Sequence, residues 1–190
     1  MKHDFHTCVS LKERLSHRFL AALIVVVVVA IGVTPAKAQD DAHTVLITGA
    51  NQGHGLAFVI DYAERGWNVI ATCRTPSKAD RLQALAAENP NITIEELDVT
   101  DYPEVDALAA KYSDNPIDVL LLNGAINTWS FGPTRFGQVD YEWAEEIFKV
   151  NVIGQLYVSE AFIDIVAASD QKKIAAMSSS DRKSTRLNSS

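Results

Sequence analysis

The chain reads as a doubly wound α/β domain, a parallel sheet with helices on both faces. Two observations predict this. From Thr44 onward, short apolar runs rich in β-branched residues alternate with longer stretches of helical spacing, and Gly, Pro, Asn or Asp mark the changeovers. The fourth short run, residues 117–122, ends in Val119-Leu120-Leu121-Leu122 without alternation, as a strand buried on both faces does. Strand and helix in strict alternation imply right-handed crossovers, and hence a parallel sheet.

The elements follow in order. Thr44-Val45-Leu46-Ile47 is the first strand, stopped at Gly49, and residues 56–65 form the first helix, stopped at Gly66. Asn68-Val69-Ile70-Ala71-Thr72-Cys73 is the second strand. Residues 78–88, full of Ala and Leu, form a helix that Asn89-Pro90 ends. Residues 91–97 give the third strand. Asp101 caps a helix that runs through Val105, Leu108 and Ala109 to Tyr112. After the fourth strand, a loop holding Gly132, Pro133 and Gly137 leads into one long helix over residues 140–168, and residues 173–177 form a fifth strand.

The N-terminus is of another kind. Lys2, Lys12, Arg14 and Arg18 precede an apolar run over residues 19–33, and Ala36-Lys37-Ala38 follows it. Basic segment, apolar core and Ala-x-Ala site make up a secretory signal, with cleavage expected after Ala38. The run falls short of the roughly 20 residues of a spanning helix. An uncleaved membrane anchor and a start codon assigned too far upstream are the alternatives; the latter would leave the domain cytoplasmic. The mature domain, residues 39–180, is therefore expected to be exported, with no stable membrane contact unless the signal stays attached. It carries nine Lys and Arg against 21 Asp and Glu, a net charge of −12, which disfavours nucleic acid as a partner. Cys8 leaves with the signal, so Cys73 has no disulfide partner within the mature chain.

The chemistry begins at Thr48-Gly49-Ala50-Asn51-Gln52-Gly53-His54-Gly55, which lies between the first strand and the first helix. A pyrophosphate must approach the backbone there and face the free N–H groups of the helix, and a Cβ at the closest positions would block it. The second strand ends in Cys73-Arg74 with no acid. An acid would bind a ribose 2′-hydroxyl, whereas Arg74 suits a 2′-phosphate, so NADP(H) is favoured over NAD(H). His43 is distant from His54, no cysteine or carboxylate pair stands near His54 at ligand spacing, and no metal site is indicated.

The glycine pattern T-G-x-x-x-G-x-G resembles the cofactor loop of short-chain dehydrogenases/reductases, and the resemblance extends from Thr44 to about Ser180. It implies a Rossmann-type sheet and hydride transfer between NADP(H) and a small-molecule carbonyl or alcohol. His54 departs from the family, which has an apolar residue there. Asp98-Val99 is similar to the family's adenine-contacting Asp-Val, although Asp98 also suits a local helix cap. Leu122-Asn123-Gly124-Ala125 is similar to Asn-Asn-Ala-Gly with the small residues exchanged, which implies nicotinamide-ribose contacts from Asn123, Gly124 and Ala125. Asn151 in Val150-Asn151-Val152-Ile153-Gly154 is implied in a proton relay. In Met177-Ser178-Ser179-Ser180, Ser179 is implied to hold the substrate carbonyl, with Ser178 next in line.

The family's Tyr-x-x-x-Lys is absent from the sequence. The last ten residues, 181–190, carry a basic character foreign to the domain and are identified as one translated frame of a sequencing-library adapter, with a natural basic tail as the alternative. The expectation is a fragment of a longer oxidoreductase, cut after the fifth strand and itself inactive. A non-catalytic dinucleotide-binding or regulatory protein of the same fold is the other reading. The long helix from Asp140 offers a surface for homo-oligomer formation.

Overall fold

The computed structural model describes residues 42–127 and 137–178. The expected leader, Ser179 and the 181–190 tail lie outside these residues.

Five strands, β1 (Thr44–Ile47), β2 (Asn68–Cys73), β3 (Ile92–Glu96), β4 (Val119–Leu122) and β5 (Lys173–Ala176), form one parallel sheet in the order β3-β2-β1-β4-β5. Thr44 pairs with Asn68, Val45 with Val119 and Leu120 with Ile174, so β1 lies at the centre and the chain reverses direction across it. Helices α1 (Gly53–Glu64), α2 (Asp80–Glu88), α3 (Tyr102–Lys111), α4 (Tyr141–Phe148) and α5 (Gln155–Ala167) make the crossovers.

The apolar runs do not alternate because both faces of the sheet are covered. Val45, Ile47, Val69, Ala71, Val119 and Leu121 point to one face and pack under Leu56 and Val59 of α1 and Leu82 of α2. Leu46, Ile70 and Leu120 point to the other, under Val105 and Leu108 of α3 and Val158 and Phe162 of α5. The strands buried on both faces, β2, β1 and β4, are the three inner strands of the sheet. On the outer side of the sheet, Tyr112 and Lys111 at the end of α3 both bond the Glu95 carboxylate of β3, at 2.7 and 2.6 Å. Burial, followed by this bond, pushes the Tyr112 phenol well above the usual range.

The expected elements are present, with shifted ends. α1 begins at Gly53 rather than Leu56, because the glycine turn itself enters the helix, and β4 begins at Val119 rather than Ile117. A short 3₁₀ turn, Pro76–Lys78, precedes α2, since Pro at its first position fixes the turn. Asp101 caps α3 as expected, accepting from the Glu104 N–H at 3.2 Å.

The long helix expected over residues 140–168 is present as one helical stretch, Tyr141–Ala167, with an interruption the sequence does not announce. A π-helical segment, Lys149–Gly154, separates α4 from α5. At its end the packing is tight: a Cβ on Gly154 would stand 2.8 Å from both Val99 Cγ2 and the Val99 carbonyl oxygen, so the helix presses directly on the chain after β3. Among the described residues, Tyr141–Ala167 is also the one stretch long and apolar enough to cross a membrane by length and composition. Its Val158, Phe162, Ile165 and Val166 are buried in the core cluster against β4 and α3, the placement of a core helix. The outward side keeps Phe148, Val152, Leu156 and Ile163 exposed, and β5 is exposed along its length.

At the amino-terminal edge of the sheet, one carboxylate ties three segments together. Asp118 accepts from the Thr44 N–H at 2.8 Å and the Gln171 N–H at 3.2 Å, and His43 Nδ1 stands 3.2 Å away. Burial opposes its ionisation, but the two N–H donors and His43 outweigh burial and hold its pKa below the ordinary 3.8. A depressed carboxylate pKa gives stability that is complete above the unfolded value and is lost as pH falls through the folded one. Asp118→Asn is expected to lower stability by about 1–3 kcal/mol near neutral pH. In urea titrations the gap between wild type and variant should close as pH drops below 3.8. A gap independent of pH would contradict this role.

Candidate functional site

The carboxyl ends of β1, β2 and β4 open onto one cleft of about 570 Å³, within the usual size of a small-molecule site. The turn after β1 supplies its floor. Gly49 and Gly53 adopt φ of +65° and +57°, conformations that side-chain-bearing residues avoid. Gly55 is required for space instead: a Cβ there would lie 2.2 Å from the Gly49 carbonyl oxygen and 2.6 Å from Asn123 Nδ2. The turn thus brings the start of α1 against the end of β1. No side chain caps α1, and no acid occupies its first turn. Its first N–H groups and positive dipole end therefore suit an anion.

A second loop, after β4, closes against this turn. Thr48 Oγ1 accepts from the Asn123 and Gly124 N–H groups at 2.9 and 2.8 Å. In return, Asn123 Nδ2 donates to the Thr48 and Gly49 carbonyls at 3.0 and 3.1 Å. A Cβ on Gly49 would come within 2.7 Å of Gly124 Cα. The exchanged small residues thereby acquire a reason. Gly124 occupies the tight position, where a Cβ would lie 3.2 Å from Thr48 Oγ1, while Ala125 is exposed.

At the end of β2, Cys73 is buried, and burial pushes its thiol up, as for an inert cysteine. Arg74 is exposed at the cleft, and no carboxylate among the described residues pairs with it. Lys78, on the 3₁₀ turn, lines the same end. After β3, Asp98 folds Oδ1 back onto the Thr100 N–H and hydroxyl at 2.9 and 2.8 Å, and also borders the cleft. It therefore serves the local turn while facing the site. Val99 is buried under Gly154 with an edge on the cleft.

Of the expected cofactor residues, Gly49, Asn51, Gln52, Gly53, His54, Arg74, Asp98, Val99, Asn123, Gly124 and Ala125 line the cleft. Thr48 and Gly55 stand behind it and fix its shape. Asn151, in the π segment, uses its whole side-chain amide on one residue: Oδ1 accepts from the Ile126 N–H at 2.9 Å, and Nδ2 donates to the Ile126 carbonyl at 2.8 Å. Ser178 is exposed beyond β5, and Ser179 lies outside the described residues.

Sequence reasoning missed Lys78, Ile126, Glu146 and Val150 as cleft residues. Lys78 stands four residues after Arg74, and that spacing of two cations was the available signal. Glu146 and Val150 reach the cleft only through the packing of α4, which no local pattern encodes. Among the described residues, no group of three His, Cys, Asp or Glu side chains is placed to hold a metal ion.

Residues 43–188 match the short chain dehydrogenase family. Retinol dehydrogenase 13 of Mus musculus is 31% identical over 156 residues, which are 80% of this chain and 45% of that protein. The NADPH-bound carbonyl reductase from chicken fatty liver superposes with a TM-score of 0.62 at 31% identity, over 69% of this chain and 51% of that one. A short-chain dehydrogenase/reductase from Burkholderia multivorans with bound NADP gives 0.64 at 29% identity, over 73% and 59%. The chain spans about half the length of the curated relatives it matches.

The glycine geometry makes a sharp expectation. Gly55→Ala should lower dinucleotide affinity more than tenfold, because its Cβ must displace the Gly49 carbonyl. Overpacking of this kind should also cost about 1–3 kcal/mol of stability. Gly53→Ala, which meets no atom within 4 Å, should show only the left-handed backbone cost of roughly 1–2 kcal/mol. Ligand titration and urea melts of both variants check this, and equal behaviour would contradict it.

Proposed function

The chain belongs to the short-chain dehydrogenase family, and from that premise we propose that its domain binds NADP(H), in preference to NAD(H), for an oxidoreductase acting on a small-molecule carbonyl or alcohol. One observation carries the reading. The cleft runs from the uncapped start of α1 to Arg74 and Lys78, and the residue that follows β2 is Arg74 rather than an acid. A pyrophosphate suits the first feature, and a 2′-phosphate suits the pair of cations. Two similar structures hold NADPH and NADP, in agreement with this choice.

The bound dinucleotide supplies or accepts the hydride. The residues of this chain hold and orient it. The Gly49–Gly55 turn and α1 take the pyrophosphate, Arg74 takes the 2′-phosphate, Asp98 and Val99 face the adenine, and Asn123, Gly124 and Ala125 face the nicotinamide ribose. On the reacting side, Asn151 belongs to the proton relay and Ser179 to the substrate carbonyl. Residues 1–38 act as an export signal. The exposed apolar side formed by Phe148, Val152, Leu156 and Ile163 is the surface for a second copy of the chain.

A second reading has its own observation. The sequence holds no Tyr-x-x-x-Lys, the pair in which a lysine lowers the pKa of a proton-donating phenol. The 190 residues are therefore expected to bind dinucleotide without turning over substrate, as a non-catalytic binding protein of the same fold would. The source gene separates the readings: an open frame that continues past Ser180 into Tyr-x-x-x-Lys supports the enzyme, and a reproduced natural stop after Ser190 supports the binding protein.

Arg74→Asp tests the cofactor preference. A charge-assisted phosphate contact is worth about 1.5–3 kcal/mol, so the NADP(H)/NAD(H) affinity ratio should fall at least about tenfold. Titration with both dinucleotides measures it, and a ratio that moves less overturns the preference.

A further inference from the structure

We propose that Gln155 is a positioning residue for the nicotinamide end of the dinucleotide, acting through the main chain of residues 124–126; the proposal rests on the NADP(H) reading above. Gln155 opens α5 directly after the π segment, is 9% exposed and does not itself line the cleft. Its Nε2 donates to the Gly124 carbonyl, with the Val150 carbonyl 3.4 Å away. Because both neighbours are carbonyl oxygens, the amide must present its NH₂ to them. The opposite orientation would set oxygen against two oxygens.

That orientation leaves Gln155 Oε1 buried without a donor among the described residues. An unsatisfied buried acceptor is a stability cost, so packing alone would be served better by an apolar side chain of similar volume. What the amide provides is a grip on Gly124. Asn151, four residues earlier across the π segment, grips the N–H and carbonyl of Ile126. Two side-chain amides thus hold three main-chain groups of one short loop, and Gly124, Ala125 and Ile126 of that loop line the cleft. Arg74 and Lys78 flank the adenosine end of the reading above, so the loop after β4 serves the other half of the ligand.

The test compares two ligands on the whole 190-residue chain: NADPH, and adenosine 2′,5′-bisphosphate, which carries the 2′-phosphate but no nicotinamide. Gln155→Leu should weaken NADPH at least tenfold and blunt the fluorescence change of its bound nicotinamide, while bisphosphate affinity stays within twofold. The unchanged bisphosphate binding also reports that the variant has folded. Equal loss of both ligands, in Gln155→Leu and in the longer Gln155→Met, would make Gln155 a structural residue and overturn the proposal. Unchanged NADPH binding would overturn it too. A wild-type chain that binds neither ligand would instead remove the NADP(H) reading, and the proposal with it.

Discussion

The turn after β1 and the loop after β4 meet at backbone distance, and the rest of the site is built on that meeting. A Cβ on Gly49 would stand 2.7 Å from Gly124 Cα, so that position admits no side chain, and a Cβ on Gly124 would press on Thr48 Oγ1 at 3.2 Å. Thr48 and Asn123 lock the contact with four hydrogen bonds running in both directions. The parallel register of β1 and β4 brings the two segments to the same height, and the crossover direction reverses between them. A cleft at that reversal is the general consequence in open α/β sheets. The start of α1 can then face it without a cap, because the floor is already fixed by β1 and β4.

The same sheet is tied at its other end by different chemistry. Asp118 gathers Thr44, Gln171 and His43 where the strands begin, while glycines and small polar groups define the ends where the cleft opens. The stabilising charge and the binding surface therefore lie at opposite edges. The long helix joins the two roles. Its α5 half buries Phe162 and Val158 in the core, and its π segment holds the loop after β4 through Asn151.

Much of this was legible in the chain itself. β1 and β2 lie where the apolar runs place them, and Asp101 caps α3, because these features depend on residues within one turn or one strand. The glycine turn was readable for the same reason, since its spacing between strand and helix encodes a local shape. The π segment was not readable. Residues 149–154 keep helical spacing, and the close packing of Gly154 on Val99, some fifty positions away in sequence, exists only in the fold. Gln155 escaped notice for a related reason. Its partner Gly124 comes from another element, and only the fold places that carbonyl beside its amide. The exchange of Gly124 and Ala125 departs from the family pattern, and in the fold it sets the smaller residue where a Cβ would stand 3.2 Å from Thr48 Oγ1.

The central claim is that the paired loops at Gly49 and Gly124 form the cradle of a dinucleotide. Backbone amide NMR of the 190-residue chain titrated with NADP⁺ tests it most directly. Saturable shifts are expected at the N–H groups of Gly53, His54 and Gly55 and across Asn123, Gly124 and Ile126, with His43 and Asp118 at the far edge unmoved. Shifts confined to that far edge, or no saturable shifts at all, would contradict the account.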